Sequence, residues 1–128
     1  MGKLREFSIK TEETGVYNIT RSVTDAVKES GVEDGYAVIF CPHTTAALTF
    51  NENTNPNVRN DLLNSMEKAF PRQDSELHAH IKSSNLGAEL IILIDGGWPL
   101  LGVWQNIYFV EFDGPRERKY YIKIVSDD

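Results

Sequence analysis

The chain holds a single cysteine, Cys41, so an intramolecular disulfide is excluded and no paired-cysteine zinc spacing exists. Together these shortages fit a reducing, cytoplasmic compartment. Positive charge is also scarce. Thirteen Lys and Arg residues against nineteen Asp and Glu give a net charge of -6. The cations are scattered rather than massed, so the electrostatic footprint needed to grip nucleic acid is missing. Apolar runs such as Leu90 to Ile94 are much too short to span a bilayer. The opening Met1-Gly2-Lys3-Leu4-Arg5-Glu6 has neither a signal-peptide core nor the hydroxyl residue of a myristoylation signal. No membrane partner is expected. Neither Gly-x-x-x-x-Gly-Lys-Ser/Thr nor Gly-x-Gly-x-x-Gly occurs, so no nucleotide or organic cofactor is indicated.

What is present suits one soluble domain spanning residues 1–128. The composition is 41% hydrophobic and 25% charged, and a chain of 128 residues buries a core without staples. Lys3 to Lys10 and Val16 to Ile19 flank Thr14-Gly15 and predict an opening hairpin. Val23, Ala26 and Val27 then recur at helical spacing, with Gly31 as the stop. Gly35–Phe40 and Ala47–Asn51 read as strands around a Pro42-His43-Thr44 bend. Asn55-Pro56 caps a second helix, whose apolar stripe is Val58, Leu62, Leu63, Met66, Ala69 and Phe70.

Residues 77–82 satisfy both a strand alternation and a helical turn, and periodicity leaves both open. Strands are expected at Glu89–Ile94, Leu100–Val103, Ile107–Phe112 and Lys119–Val125. Asp95-Gly96-Gly97 reads as a tight turn, and Asp113-Gly114-Pro115-Arg116 as the turn of a closing hairpin. Seven to eight strands with two main helices predict an α+β domain with a mostly antiparallel, curved sheet or sandwich.

One segment supplies more chemistry than a turn needs. Within ten residues of Pro42, where the strand ending at Phe40 stops, come His43, Thr44, Thr45 and Glu52. An imidazole there can act as a base, a phosphate donor or a metal ligand, or can simply hold the turn. Glu52 would lie near it if the two flanking strands pair. His78 and His80 would share a face with Lys82 on a strand, but would diverge on a helix. Lys82, Ser83, Ser84 and Asn85 have the ingredients to grip phosphate, especially at a helix N-terminus. Arg116 can present a guanidinium just past its turn. Trp98 and Trp104 read as packing or as a flat face for a heteroaromatic ring. Cys41, at the end of an apolar run, reads as a small buried hydrophobe.

In this order and at similar spacing, His43-Thr44-Thr45-Ala46-Ala47-Leu48, Asn51-Glu52, His80-Ile81-Lys82-Ser83-Ser84, Gly102-Val103-Trp104-Gln105 and Phe112-Asp113-Gly114-Pro115-Arg116 resemble the YjbQ family. The resemblance covers essentially the whole chain and implies a compact α+β fold, a homotrimer, and secondary thiamine-phosphate synthase activity. In that reaction the ring nitrogen of a thiazole phosphate attacks the methylene of an aminopyrimidine pyrophosphate, and pyrophosphate leaves. The implied catalytic residues are His43, Glu52 and His80. Thr44, Thr45, Lys82, Ser83, Trp104, Gln105 and Arg116 would contact the phosphorylated substrate. Mg²⁺ or another divalent cation would be held by His43, Glu52 and His80, or by oxygens of Glu52 or Asp113.

Two departures stand out. Val103 replaces the family's usual threonine before Trp-Gln, and the stretch 71–77 lacks a further histidine, with His78 the nearby substitute. A metal-dependent hydrolase and a non-catalytic oligomer that binds an anionic metabolite are the alternative readings.

Overall fold

A computed structural model of the chain describes residues 4–52, 55–72 and 77–128. Among them the chain runs β1 (Leu4–Thr11), β2 (Gly15–Asn18), α1 (Thr20–Ser30), β3 (Gly35–Phe40), β4 (Ala46–Glu52), α2 (Pro56–Ala69), α3 (Leu77–Leu86), β5 (Glu89–Asp95), β6 (Trp98–Pro99), β7 (Gln105–Glu111) and β8 (Arg116–Ser126). The α+β class is as expected, with a third helix. The strands form two antiparallel sheets, ordered β1-β8-β3-β5-β6 and β2-β7-β4.

Three predicted local pairings do not form. β1 pairs with β8 and β2 with β7, so the opening hairpin is absent. β3 pairs with β5 and β8 while β4 pairs with β7, and β7 and β8 lie in different sheets. Each short link therefore carries the chain from one sheet to the other. At the first corner the Tyr17 hydroxyl accepts from the backbone N–H groups of Glu12 and Glu13 and donates to the Glu13 carbonyl, which ties the bend to its own following strand. At the last, a Cβ on Gly114 would stand 2.9 Å from the Glu13 backbone, so only glycine lets the two corners touch. Among the described residues the one local hairpin is β5–β6, where Gly96 and Gly97 take φ of 58° and 85°, the left-handed pair a two-residue turn requires.

Sheet switching creates two apolar layers. Val23, Ala26 and Val27 of α1 pack with Ile39, Ile92, Ile122 and Tyr120 of the first sheet against Leu48, Ile107 and Phe109 of the second. The opposite face of the second sheet, Ala47, Tyr108 and Val110, meets Ala79 and Leu86 of α3 and Leu62, Leu63 and Met66 of α2. This explains the uninterrupted burial of residues 107–112: β7 is covered on both faces. Each fully buried valine or isoleucine contributes about 1.5–3 kcal/mol.

The second core also decides the ambiguous segment. His78, Ala79, Lys82 and Ser83 are the buried positions of residues 77–86, a stripe only a helix can make. Asn55 caps α2 as expected, its side-chain oxygen accepting from the Asn57 N–H at 2.9 Å with Pro56 at the first helical position. Gly31 ends α1 in the left-handed region, φ 73°.

Between the two sheets lies a buried ion pair. Arg118 of β8 is 6% exposed and Glu111 of β7 is fully buried. The guanidinium donates from Nε to Oε1 at 2.7 Å and from Nη2 to Oε2 at 2.5 Å. Thr11 Oγ1 donates to Oε1 at 2.8 Å and the Asp113 N–H to Oε2 at 2.9 Å, so the carboxylate is saturated. These bonds hold Glu111 below the usual carboxylate range against the opposing effect of burial, which is the largest single influence.

Removing one member should cost far more than removing both. Glu111→Ala, which strands a buried guanidinium, is expected to lower unfolding free energy by about 3–5 kcal/mol. The paired Glu111→Met, Arg118→Met variant should recover most of that loss. Urea unfolding checks both, and equal losses would show that the charge pairing is not what matters here.

Candidate functional site

The link between β3 and β4, Cys41–Thr45, is pinned at alternate residues. The Cys41 N–H donates to the Ala88 carbonyl at 2.7 Å, and its side chain is buried, which pushes the thiol above its ordinary range. That supports packing rather than a thiolate. The Thr45 carbonyl accepts from the Phe112 N–H at 3.1 Å, and Thr45 Oγ1 accepts from Arg118 Nη2 at 2.7 Å. Pro42 and Thr44 point outward.

His43 is fixed by the way β3 ends. Tyr36 to Phe40 pair with Val125 to Tyr121, so Pro42 stands where the next ladder partner of Lys119 would be. The ladder stops short of it, and the His43 ring stands there as acceptor: the Lys119 N–H donates to Nε2 at 2.9 Å, and the Lys119 carbonyl lies 3.1 Å from the same nitrogen. A neutral ring accepting at Nε2 carries its proton on Nδ1. Burial first, then the nearby Arg118 charge, push His43 below the ordinary histidine value, while the Lys119 backbone and Glu111 oppose the shift.

Across from this loop stands the C-terminal half of α3. His43, Thr44, His80, Ser83, Ser84, Gly87 and Ala88 line an open cleft of about 440 Å³. Ser83 anchors its wall, donating from Oγ to the Ala46 carbonyl at 2.5 Å, and the Gly87 carbonyl accepts from the Leu48 N–H at 3.1 Å. No charged side chain lines the cleft among the described residues.

The predicted site is thus divided. His43, Thr44, His80 and Ser83 meet in the cleft. Thr45 is 6% exposed and lies beneath it, facing Arg118. Glu52 is at the opposite end of β4, six residues beyond Ala46 and therefore about 20 Å from the cleft end of that strand. It is the register partner of Gln105, whose Oε1 accepts from the Gly102 N–H, and Trp104 beside it is exposed in a turn. Within one chain these three do not line the cleft between His43 and His80. Arg116 occupies the Asp113 corner, where Nη2 donates to Asp113 Oδ2 at 2.7 Å.

Lys82 is also elsewhere. On a helix it shares a face with His78, not His80, and it is 4% exposed. Its Nζ donates to Glu67 Oε1 at 2.7 Å and lies 3.0 Å from His78 Nδ1. The cation clasps α2 to α3. Residues 82–85 belong to the C-terminal half of α3, so the helix N-terminus expected to help hold phosphate is not there. His78 faces this seam and does not replace a histidine in the cleft.

The residues proposed for a divalent cation are also divided within one chain. No cluster of three or more His, Cys, Asp or Glu able to hold a metal occurs among the described residues, and Glu52 is at the far end of β4 from His43. Sequence reasoning missed the Arg118–Glu111 pair and the role of the Lys119 backbone. A signal existed for the first: Arg118 alternates with Tyr120, Ile122 and Ile124, the core-facing positions of β8.

Burial, followed by the Lys82 charge, holds His78 below the ordinary histidine value. When pH falls through that ordinary value the unfolded chain takes up a proton that the folded chain refuses, and stability drops until the folded value is passed. The fall in melting temperature between about pH 7.5 and about 5.5 should therefore be smaller in His78→Gln than in the wild type. Calorimetry at the two pH values checks this, and an unchanged fall would remove His78 as a source of acid sensitivity.

A family model described as UPF0047 protein YjbQ-like matches residues 5–127. Among curated proteins, UPF0047 protein MJ1081 of Methanocaldococcus jannaschii is 45% identical, the match covering 97% of this chain and 95% of that one. Two solved structures are similar throughout. An uncharacterized conserved protein of the yjbq/upf0047 family from Clostridium acetobutylicum is 49% identical with a TM-score of 0.91, covering 94% of this chain and 99% of the other. A YbjQ-like protein of unknown function from Sulfolobus solfataricus is 30% identical with a TM-score of 0.93, covering 99% of each chain.

Proposed function

The chain belongs to the UPF0047 YjbQ-like family, and from that premise we propose that the His43–His80 cleft binds a phosphorylated small molecule and transforms it with the two imidazoles as proton donors and acceptors. The observation that carries this reading is the meeting of His43 and His80, from segments 37 residues apart in sequence, across one cleft with the Thr44 and Ser84 hydroxyls. The lining holds N–H and O–H donors and no carboxylate among the described residues, which favours an anion. The C-terminal carbonyls of α3 give that anion no help, so imidazole and hydroxyl must hold it.

The reaction we assign is of the thiamine-phosphate synthase type. The thiazole nitrogen forms a bond to the pyrimidine methylene, the carbon–oxygen bond to pyrophosphate breaks, and the departing oxygens take up the electron pair. His43 Nδ1–H and His80 would donate to those oxygens, stabilising charge as it develops. No step is assigned to a protein-held cation, since the donors do not converge.

With both phosphorylated halves and Mg²⁺ supplied, His43→Ala and His80→Ala should each slow thiamine-phosphate formation by about 10²–10⁴-fold. Product is followed by chromatography. Wild-type rates no higher than those of the double variant would remove the reaction, whereas binding without turnover would favour the metabolite-binding reading.

We also propose that the protein is a cytoplasmic homotrimer. The unpaired, buried Cys41 supports a reducing compartment, and no described helix is long and apolar enough to cross a membrane. The outer face of the first sheet carries Phe40, Ile91 and Leu93 exposed beside Tyr36 and Val38, a continuous apolar surface that a second copy of the chain would cover. Light scattering should give three chains for the wild type and one for Phe40→Glu, Leu93→Glu. A monomeric wild type overturns the proposal.

A further inference from the structure

Arg118 takes no part in the cleft lining, yet its contacts lead to His43 by two routes. Nη2 bonds Thr45 Oγ1 at 2.7 Å and reaches the Thr45 carbonyl at 3.4 Å, which fixes the loop two residues beyond His43. The next residue of β8, Lys119, offers the backbone N–H and carbonyl that flank His43 Nε2. The guanidinium itself is immobilised by its two bonds to Glu111, a carboxylate already saturated from Thr11 and Asp113. A rigid buried charge therefore sits behind both supports of the imidazole.

We propose that Arg118 is a positioning residue for His43: by gripping Thr45 from the strand whose backbone receives Nε2, it holds the ring in one place and in one tautomer, with the Nδ1–H left for the ligand. This rests on the reading that the His43–His80 cleft is the working site. The arrangement also explains a choice of residue. A backbone donor alone would leave the ring free to pivot about a single bond, and Nε2 could as well donate to the Lys119 carbonyl, 3.1 Å away, as accept from the N–H, 2.9 Å away. Clamping the loop at Thr45 fixes the ring against the N–H. The charged groups around the ring are Arg118 and Lys119 of β8 and Glu111 of β7, with titratable Cys41 in its own loop and His80 of α3 across the cleft. Of these Arg118 is the charged side chain that bonds Thr45.

The test uses the full chain and the ¹⁵N NMR signals of its imidazoles at about pH 8, where histidine rings are neutral. Thr45→Val removes the hydroxyl that receives Arg118 but keeps the branched shape, and Thr45→Ser keeps the hydroxyl. The wild type and Thr45→Ser should show His43 as one tautomer protonated at Nδ1. Thr45→Val, and the paired Arg118→Met, Glu111→Met variant, should show a mixture in which the Nε2–H form becomes populated, with His78 unchanged. A single Nδ1–H tautomer retained in folded Thr45→Val overturns the proposal, whatever the paired variant does.

The same samples titrated with pyrophosphate report on the ligand reading separately. Affinity read from His43 and His80 shifts should weaken about tenfold in Thr45→Val. Pyrophosphate that moves neither signal in the wild type would overturn the phosphorylated-ligand reading, while the tautomer result would still decide the role of Arg118.

Discussion

A charge pair enclosed between two sheets governs much of this molecule. Arg118 and Glu111 come from strands in different sheets, joined by the short 112–115 corner, and their side chains turn back to meet between the layers. Desolvating two charges is costly, and the cost is offset only when every donor and acceptor is engaged in good geometry. That requirement reaches outward: Thr11 must present its hydroxyl, the Asp113 N–H must point inward, and Thr45 must accept the second Nη2 hydrogen. Three of the chain's corners or strand ends are thus tied to one buried carboxylate and one buried cation.

The cleft is a by-product of sheet switching. A hairpin between β3 and β4 would have placed His43 at a tip in solvent, with Glu52 at the far end of the strand. Crossing from one sheet to the other instead lays the Cys41–Thr45 link along the end of the sandwich, where α3 closes against it. Pro42 stands where the β3–β8 ladder stops, and the Lys119 N–H there donates to the His43 ring instead of to a strand carbonyl. One imidazole completes a sheet edge and faces a cleft at once.

Much of this was legible in the sequence, and what was not has a common cause. The Asn55 cap, the Gly31 stop and the helical stripe of α2 are local properties and read correctly, whereas the strand expected at Leu100–Val103 is not formed and the short strand there is Trp98–Pro99. The partners of each strand are not local. A turn between two strands has the same composition whether it reverses the chain within a sheet or carries it to the facing one, so Thr14-Gly15 and Asp113-Gly114-Pro115 gave no sign of their true roles. The site suffered accordingly. His43 and His80 do meet, but Glu52 stands six residues beyond Ala46, where no pairing of β4 would bring it to His43, and the helix end expected near Lys82 lies elsewhere.

Lys82 also shows why residue type alone misleads. A lysine followed by two serines has the composition of an anion site, but on α3 the direction of each side chain is set by a 100° step, which sends His80 and Ser84 to the cleft and His78 and Lys82 to the α2 seam. The same step leaves the cleft without a lysine or arginine in its lining and with its donors drawn from imidazole, hydroxyl and backbone. Whatever binds there is recognised by groups whose donor or acceptor character is set by proton position rather than by fixed charge. Control of the His43 tautomer by the strand beneath it is then a condition of recognition, which links the buried pair to the chemistry of the surface.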